Sequence, residues 1–112
     1  MDCIFCKIIA GDIPANVVYR DDDVVAIADV NPQAPAHILV MPVIHVPNVG
    51  ELSPETDAAL MVKLVATAAR IGREHGKNGY RLVVNTGPDG GQTVDHTHVH
   101  VLAGRHLTWP PG

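Results

Sequence analysis

The chain has 112 residues, 46% of them hydrophobic, which is enough for one domain, residues 1–112, to build its core without disulfides. Charged residues make up 18%, the net charge is -4, and the only run of like charge is Asp21-Asp22-Asp23. Such a surface does not suit polyanions, so nucleic acid and acidic membranes are excluded as expected partners, whereas a small phosphate ester held locally by backbone N–H groups and histidines is not.

The N-terminus, MDCIFCKIIAGDIP, has no basic segment followed by a long apolar run, and nowhere do about 18 uncharged apolar residues stand together. The expectation is a cytoplasmic protein. Its two cysteines, Cys3 and Cys6, have C-x-x-C spacing, and a reducing compartment argues against a structural disulfide. A metal site, a redox pair and a plain reduced pair stay open, the redox pair lacking its usual βαβ context.

In chain order, Cys3 to Ala10 reads as one or two helical turns closed by Gly11. Val17-Val18-Tyr19 and Val24 to Ala28 form β-prone runs around Arg20 and three aspartates, which predicts a hairpin. Pro32 and Pro35 enclose a turn, and His37 to Met41 is a continuous apolar strand buried on both faces and ended by Pro42. Ser53-Pro54-Glu55 opens the one long helix, with Ser as N-cap and Pro at its first position. Leu60, Met61, Leu64, Val65, Ala68 and Ile71 make its apolar stripe, and Gly76 stops it. Arg81 to Asn85 is a strand, Gly87 to Gly91 a loop, Thr93 to Leu102 the last strand, and the tail Trp109-Pro110-Pro111-Gly112 is irregular. About five strands grouped before and after one long helix predict an α+β fold with an antiparallel sheet.

The last strand carries His96, His98 and His100 at alternate positions. In a strand they share one face, roughly 6.5–7 Å from one to the next, with Thr97, Val99 and Val101 turned toward the helix. A single zinc ion, with ligands at about 2.0–2.1 Å, reaches two such histidines but rarely three, so at least one is free for other work. The glycine loop enters this strand and offers N–H groups and the Thr93 hydroxyl for phosphoryl oxygens, although a plain hairpin loop has the same composition. No Lys follows it, so it is not a Walker loop.

These motifs together resemble the nucleotide-binding branch of the histidine triad superfamily. The resemblance rests on His96-Thr97-His98-Val99-His100-Val101-Leu102, on Asp29 to Pro35, His37, Val83-Val84-Asn85 and Gly90-Gly91-Gln92-Thr93, and on Trp109 to Gly112. It runs from about Cys3 to the end, and departs at Thr97, where the family's motif usually has an apolar spacer. It implies a five-stranded antiparallel sheet with one long and one short helix, two sheets joined in a homodimer, and cleavage of purine nucleoside 5'-phosphoramidates. By that resemblance His98 is the nucleophile, His100 contacts the phosphate, Thr93 assists the leaving group and His37 supports the row. Asn85, Gly91 and Gln92 line the phosphate site, Asp29 holds the ribose, and Phe5, Ile8, Ile27 and Val30 form the purine slot. Trp109 shapes the leaving-group side near the partner subunit, with Arg105 ordering the tail.

Cys3 and Cys6 do not complete a tetrahedral site alone. His45 and His96 are the candidates for a structural zinc, as in zinc-binding members of the wider superfamily, while the chemical step itself requires no metal. His75 and His106 are expected at the surface. Two other readings stand beside phosphoramidase: a zinc-dependent hydrolase using the histidine row as ligands, and a nucleotide-binding regulatory dimer with incidental catalysis.

Overall fold

Runs of β-branched residues assemble a five-stranded antiparallel sheet in the computed structural model, which describes residues 2–112. In chain order the elements are α1 (Ile4–Ile9), β1 (Val17–Arg20), β2 (Val24–Ala28), β3 (Ala36–Pro42), a 3-10 turn (Val49–Glu51), α2 (Ala58–His75), β4 (Tyr80–Val83) and β5 (Val99–Ala103). The strand order is β1-β2-β3-β5-β4, and every neighbouring pair is antiparallel. The expected α+β class is the observed one.

Alternation along the strands divides the core in two. Val24, Ala26, Ile38, Val40, Val99 and Val101 face α2, where Leu64, Ala68 and Ile71 meet them. Val25, Ile27, Leu39 and Met41 face the other way, toward Cys3 and Phe5 of the N-terminal segment. Both faces of β2 and β3 are therefore covered, and their sequences read as unbroken apolar runs. Burying each such Val, Leu or Ile contributes roughly 1.5–3 kcal/mol, so these two layers hold the sheet rigid beneath whatever it carries.

Three details differ from the sequence reading. Regular helix begins at Ala58 rather than at Pro54, because the Ser53 N–H donates to the Asp57 carboxylate at 2.8 Å while the Asp57 N–H donates to the Ser53 carbonyl at 2.7 Å. That closed turn leaves the Asp57 carboxylate unable to cap α2. Val65, expected in the apolar stripe, is 53% exposed, and Thr67 and Gly72 are buried instead. β4 ends at Val83, leaving Val84 and Asn85 in the following loop.

The largest difference concerns the last strand, which starts at Val99 rather than Thr93. Upstream of it the His96 N–H folds back to the Val94 carbonyl at 2.9 Å, and Thr97 donates from both N–H and hydroxyl to the Val46 carbonyl, at 2.7 and 2.8 Å. The bonds of Thr97 tie the chain to the loop after β3, and that of His96 closes a local turn, so neither residue joins the ladder. Thr97 is thus buried and satisfied away from the histidine rings, which gives its hydroxyl a structural place where an apolar spacer was expected.

Candidate active site

Because the chain bends before β5, the three histidines part company. Only His100 lies on a strand. His96, fully buried, turns toward the N-terminal cysteines, and His98 and His100 stay together with ring centroids 4.9 Å apart. The straight row of three is therefore corrected to a pair and an outlier. Phe5, projecting from α1, packs edge-on against both His96 and His98, at 5.9 and 5.2 Å between centroids.

The backbone around each ring fixes its tautomer. The His98 Nδ1 lies 2.7 Å from the His96 carbonyl oxygen. A carbonyl only accepts, so Nδ1 carries the proton and the neutral ring has its lone pair on Nε2. For His37 the logic runs in reverse: the Gln33 N–H donates to Nδ1 at 3.0 Å, so the proton of the neutral ring sits on Nε2. That Nε2–H donates to His100 Nδ1 at 2.9 Å, and the carboxylate of Asp29 stands 3.4 Å from the same nitrogen. His100, accepting at Nδ1, consequently bears its own proton on Nε2. The site presents one nucleophilic nitrogen and, next to it, one N–H donor.

Burial favours the neutral form of His37 and His100. It is the main cause of the depressed pKa of His100, reinforced by His98 and His37, and brings it down to about 4. Burial also lowers the pKa of His37, against the opposing pull of Asp29. Neutral imidazole is the form that can attack phosphorus or share protons along a chain.

The second constellation holds Cys3, Cys6, His45 and His96, whose ligand atoms all lie within 4.8 Å of one another. His96 Nδ1 is 3.4 Å from Cys3 Sγ, 3.6 Å from Cys6 Sγ and 3.2 Å from His45 Nδ1, and His45 Nδ1 is 3.4 Å from Cys6 Sγ. Ligands on a tetrahedral zinc ion stand about 3.3–3.6 Å apart when one or both are nitrogen. His96 Nε2 meets the Pro42 carbonyl at 2.9 Å and therefore donates its proton there, which leaves the Nδ1 lone pair aimed at the cysteines. An outward N–H on a carbonyl and an inward lone pair are the orientation expected of a metal-ligating imidazole. The donor set fits a structural metal.

The remaining expected site residues are distributed unevenly. Phe5 and Ile27 are buried in the core under the site with Ile8 packed against them, whereas Val30 is 98% exposed beyond the end of β2. Asp29 accepts from the Asn31 N–H with one oxygen and faces His37 with the other. Asn85 is half-buried and Gly91 exposed. The Gln92 amide is engaged within the chain: its oxygen accepts from the Gly87 N–H, and its nitrogen donates to the Pro47 and Val94 carbonyls. Gln92 thus braces the glycine loop. Thr93 is exposed and borders a cavity of about 590 Å³ with Cys3 and His45, on the metal-set side. Trp109 is 81% exposed on the tail, and His75 and His106 are exposed as expected. The trio Asp29, His37 and His100 is the feature that spacing along the chain did not reveal; only the pairing of His37 with Leu102 across β3 and β5 brings it together.

A family model described as HIT domain matches residues 10–107. The chain belongs to the HIT domain family. This HIT-domain chain is 46% identical over 108 residues to a purine nucleoside phosphoramidase of Escherichia coli, a match spanning 95% of the chain and 90% of that protein. Among solved structures, a HIT family hydrolase from Legionella pneumophila superposes with a TM-score of 0.94 at 42% identity, covering 99% of this chain and 100% of that one. A zinc-bound histidine triad family protein from Mycobacterium smegmatis superposes with a TM-score of 0.81 at 35% identity, covering 94% and 76% respectively. These relatives support a hydrolase, and the Cys/His set of this HIT-domain chain supports a metal site.

Proposed function

We propose that the protein is a purine nucleoside phosphoramidase that works through a covalent nucleotidyl-histidine. The observation that carries this reading is the His98 Nδ1–H bond to the His96 carbonyl, which leaves Nε2 unprotonated beside the His100 N–H. Nε2 attacks the α-phosphorus, the P–N bond breaks, and the amine departs with a proton taken from solvent, which the attacking water of the second step gives back. Water then attacks the same phosphorus, the P–His98 bond breaks, and a nucleoside monophosphate leaves. His100 donates from Nε2 to a phosphoryl oxygen whose charge grows in the transition state, and His37 and Asp29 hold that proton arrangement. Asn85 and Gly91 complete the phosphate cradle, Thr93 attends the leaving group, and Gln92 keeps the loop in shape.

Asp29 also serves the ribose hydroxyls, and Val30 with Ile8 forms the rim of the purine slot over Phe5 and Ile27. Structural zinc on Cys3, Cys6, His45 and His96 fastens the N-terminal segment that carries Phe5. The single domain acts as a homodimer joined sheet to sheet, in the cytoplasm, where reducing conditions preserve the two thiols. No helix among the described residues is long and apolar enough to cross a membrane.

The test is to mix the protein with adenosine 5'-phosphoramidate, quench early and search by mass spectrometry for a nucleotidyl group on His98. The adduct with turnover is expected. Absence of both sinks the reading, and tight nucleotide binding without turnover favours a regulatory dimer.

A further inference from the structure

The chain leaves β5 at Gly104, whose φ of +98° turns it sharply; a Cβ there would meet Pro35 Cβ at 2.9 Å, so the reversal runs tight against Pro35. Arg105 secures the turn, donating from Nε to the Gln33 carbonyl at 2.9 Å and from Nη1 to the His106 carbonyl at 3.0 Å. The next anchor comes from another strand. Arg81 of β4 donates from Nη2 to the Thr108 carbonyl at 2.9 Å and reaches the Leu107 carbonyl at 3.4 Å. Trp109 follows immediately, 81% exposed.

Two features make Arg81 more than a surface cation. Among the described residues its guanidinium has no carboxylate partner; its bonds go to the main chain of the tail. Its register pairs it with Leu102, while Val83, two residues on, pairs with His100. Alternation therefore puts Arg81 and His100 on the same face of neighbouring strands, one step apart along the ladder. Close packing does not hold the tail here, since Lys77 to Arg81 and Gly104 to Leu107 border a cavity of about 650 Å³.

We propose that Arg81 is a positioning residue: it fixes Leu107 and Thr108 to the site face of β4 and so sets where Trp109 stands for the leaving group. The assignment rests on the phosphoramidase reading. Arg105 alone, the sequence-based candidate for ordering the tail, secures only the turn that precedes it.

Trp109 is the chain's one tryptophan, so its fluorescence reports on the tail without a label. In full-length Arg81→Met, the time-resolved anisotropy should gain a fast component, and in Arg81→Lys, whose ammonium still reaches the Thr108 carbonyl, the slow decay should largely return. For a phosphoramidate of a bulky aryl amine, kcat/KM of Arg81→Met should drop about ten-fold, the size expected for losing a charge-assisted hydrogen bond, and that of the unsubstituted phosphoramidate by less than about two-fold. Unchanged anisotropy overturns the proposal, as does an equal loss, or none, on both substrates. So does an altered elution volume on size exclusion, which would make Arg81 an assembly residue. If the wild type turns over neither substrate, the phosphoramidase reading fails and the leaving-group role with it, while the anisotropy still decides whether Arg81 clamps the tail.

Discussion

His98 Nδ1 lies 2.7 Å from the carbonyl oxygen of His96, its neighbour two residues back, and this one bond leaves Nε2 as the unprotonated nitrogen of the neutral ring, the atom that the proposed reaction uses. An asparagine at position 98 places its amide N–H near the same carbonyl but offers no nucleophile. His98→Asn should therefore retain the stability of the parent within about 1 kcal/mol while turnover falls a thousand-fold or more, by roughly the loss seen when a covalent nucleophile is removed. Chemical denaturation and steady-state kinetics on the same preparation check both halves. Residual turnover within about ten-fold of the parent would show that His98 is not the attacking group.

The same pair shows where sequence reading reaches and where it stops. Central strands β2 and β3, buried on both faces, announce themselves as apolar runs, and Gly76 ends α2 where expected. Alternation over 93–102, however, predicts a straight strand, because nothing local in that stretch reveals the bonds from Thr97 to the Val46 carbonyl, fifty-one residues away. Those long-range bonds bend the chain, send His96 to the cysteines and leave His98 with His100. That one metal would not gather all three histidines was legible from the distances its ligands can span; the turn that parts His96 from the other two was not. Likewise the start of α2 was obscured by Asp57, whose carboxylate answers the Ser53 N–H instead of its own helix.

Acid should unfold the protein through its buried imidazoles. Burial, with His98 and His37 adding to it, lowers the pKa of His100 from 6.5 to about 4 in the folded chain. Below pH 6.5 the unfolded chain binds a proton that the folded one refuses, so stability is lost as pH falls from 6.5 toward about 4 and is flat above 6.5. The pKa of His37 is lowered for the same main reason and adds in the same direction. The expected loss attributable to His100 is about 1–3 kcal/mol. Urea midpoints at about pH 7, 6 and 5 should fall less steeply in His100→Gln than in the parent, and parallel slopes would contradict the assignment.

Removing metal should separate structure from chemistry. About one zinc per chain is expected on Cys3, Cys6, His45 and His96, and a strong chelator or Cys6→Ser should lower Tm by at least about 5 °C. Below both melting transitions kcat should stay within about three-fold, because neither His98 nor His100 belongs to that set. Zinc far below one equivalent would count against the metal site, and kcat tracking metal content would return the zinc-hydrolase reading to favour.

Asp29 is asked to do two things, and substrates can tell them apart. One oxygen stands 3.4 Å from His37 Nε2, and the carboxylate remains partly open to solvent, where ribose hydroxyls would meet it. Asp29→Ala should raise KM for the ribonucleotide substrate about ten-fold and erase the preference of the parent over its 2'-deoxy analogue, with a smaller loss in kcat from the slackened His37. A variant that still prefers the ribonucleotide as strongly as the parent would leave Asp29 with the histidine role alone.

Gly72 offers a contest between local propensity and packing. In an ideal helix Gly→Ala stabilises by about 1 kcal/mol, and Gly72 lies well inside α2. A Cβ there would come 2.4 Å from Cδ2 and 2.5 Å from Cγ of Tyr80, the first residue of β4. Cγ is one bond from the Tyr80 Cβ, so the ring cannot merely tilt away; it must change rotamer or push β4 from α2. Overpacking of this kind costs about 1–3 kcal/mol, which outweighs the propensity gain. Gly72→Ala should therefore lower stability by about 1 kcal/mol, and in a Tyr80→Ala background the same substitution should raise it, a coupling that a double-mutant cycle reads directly. Additive effects in that cycle would mean that the Tyr80 ring does not set the limit at Gly72.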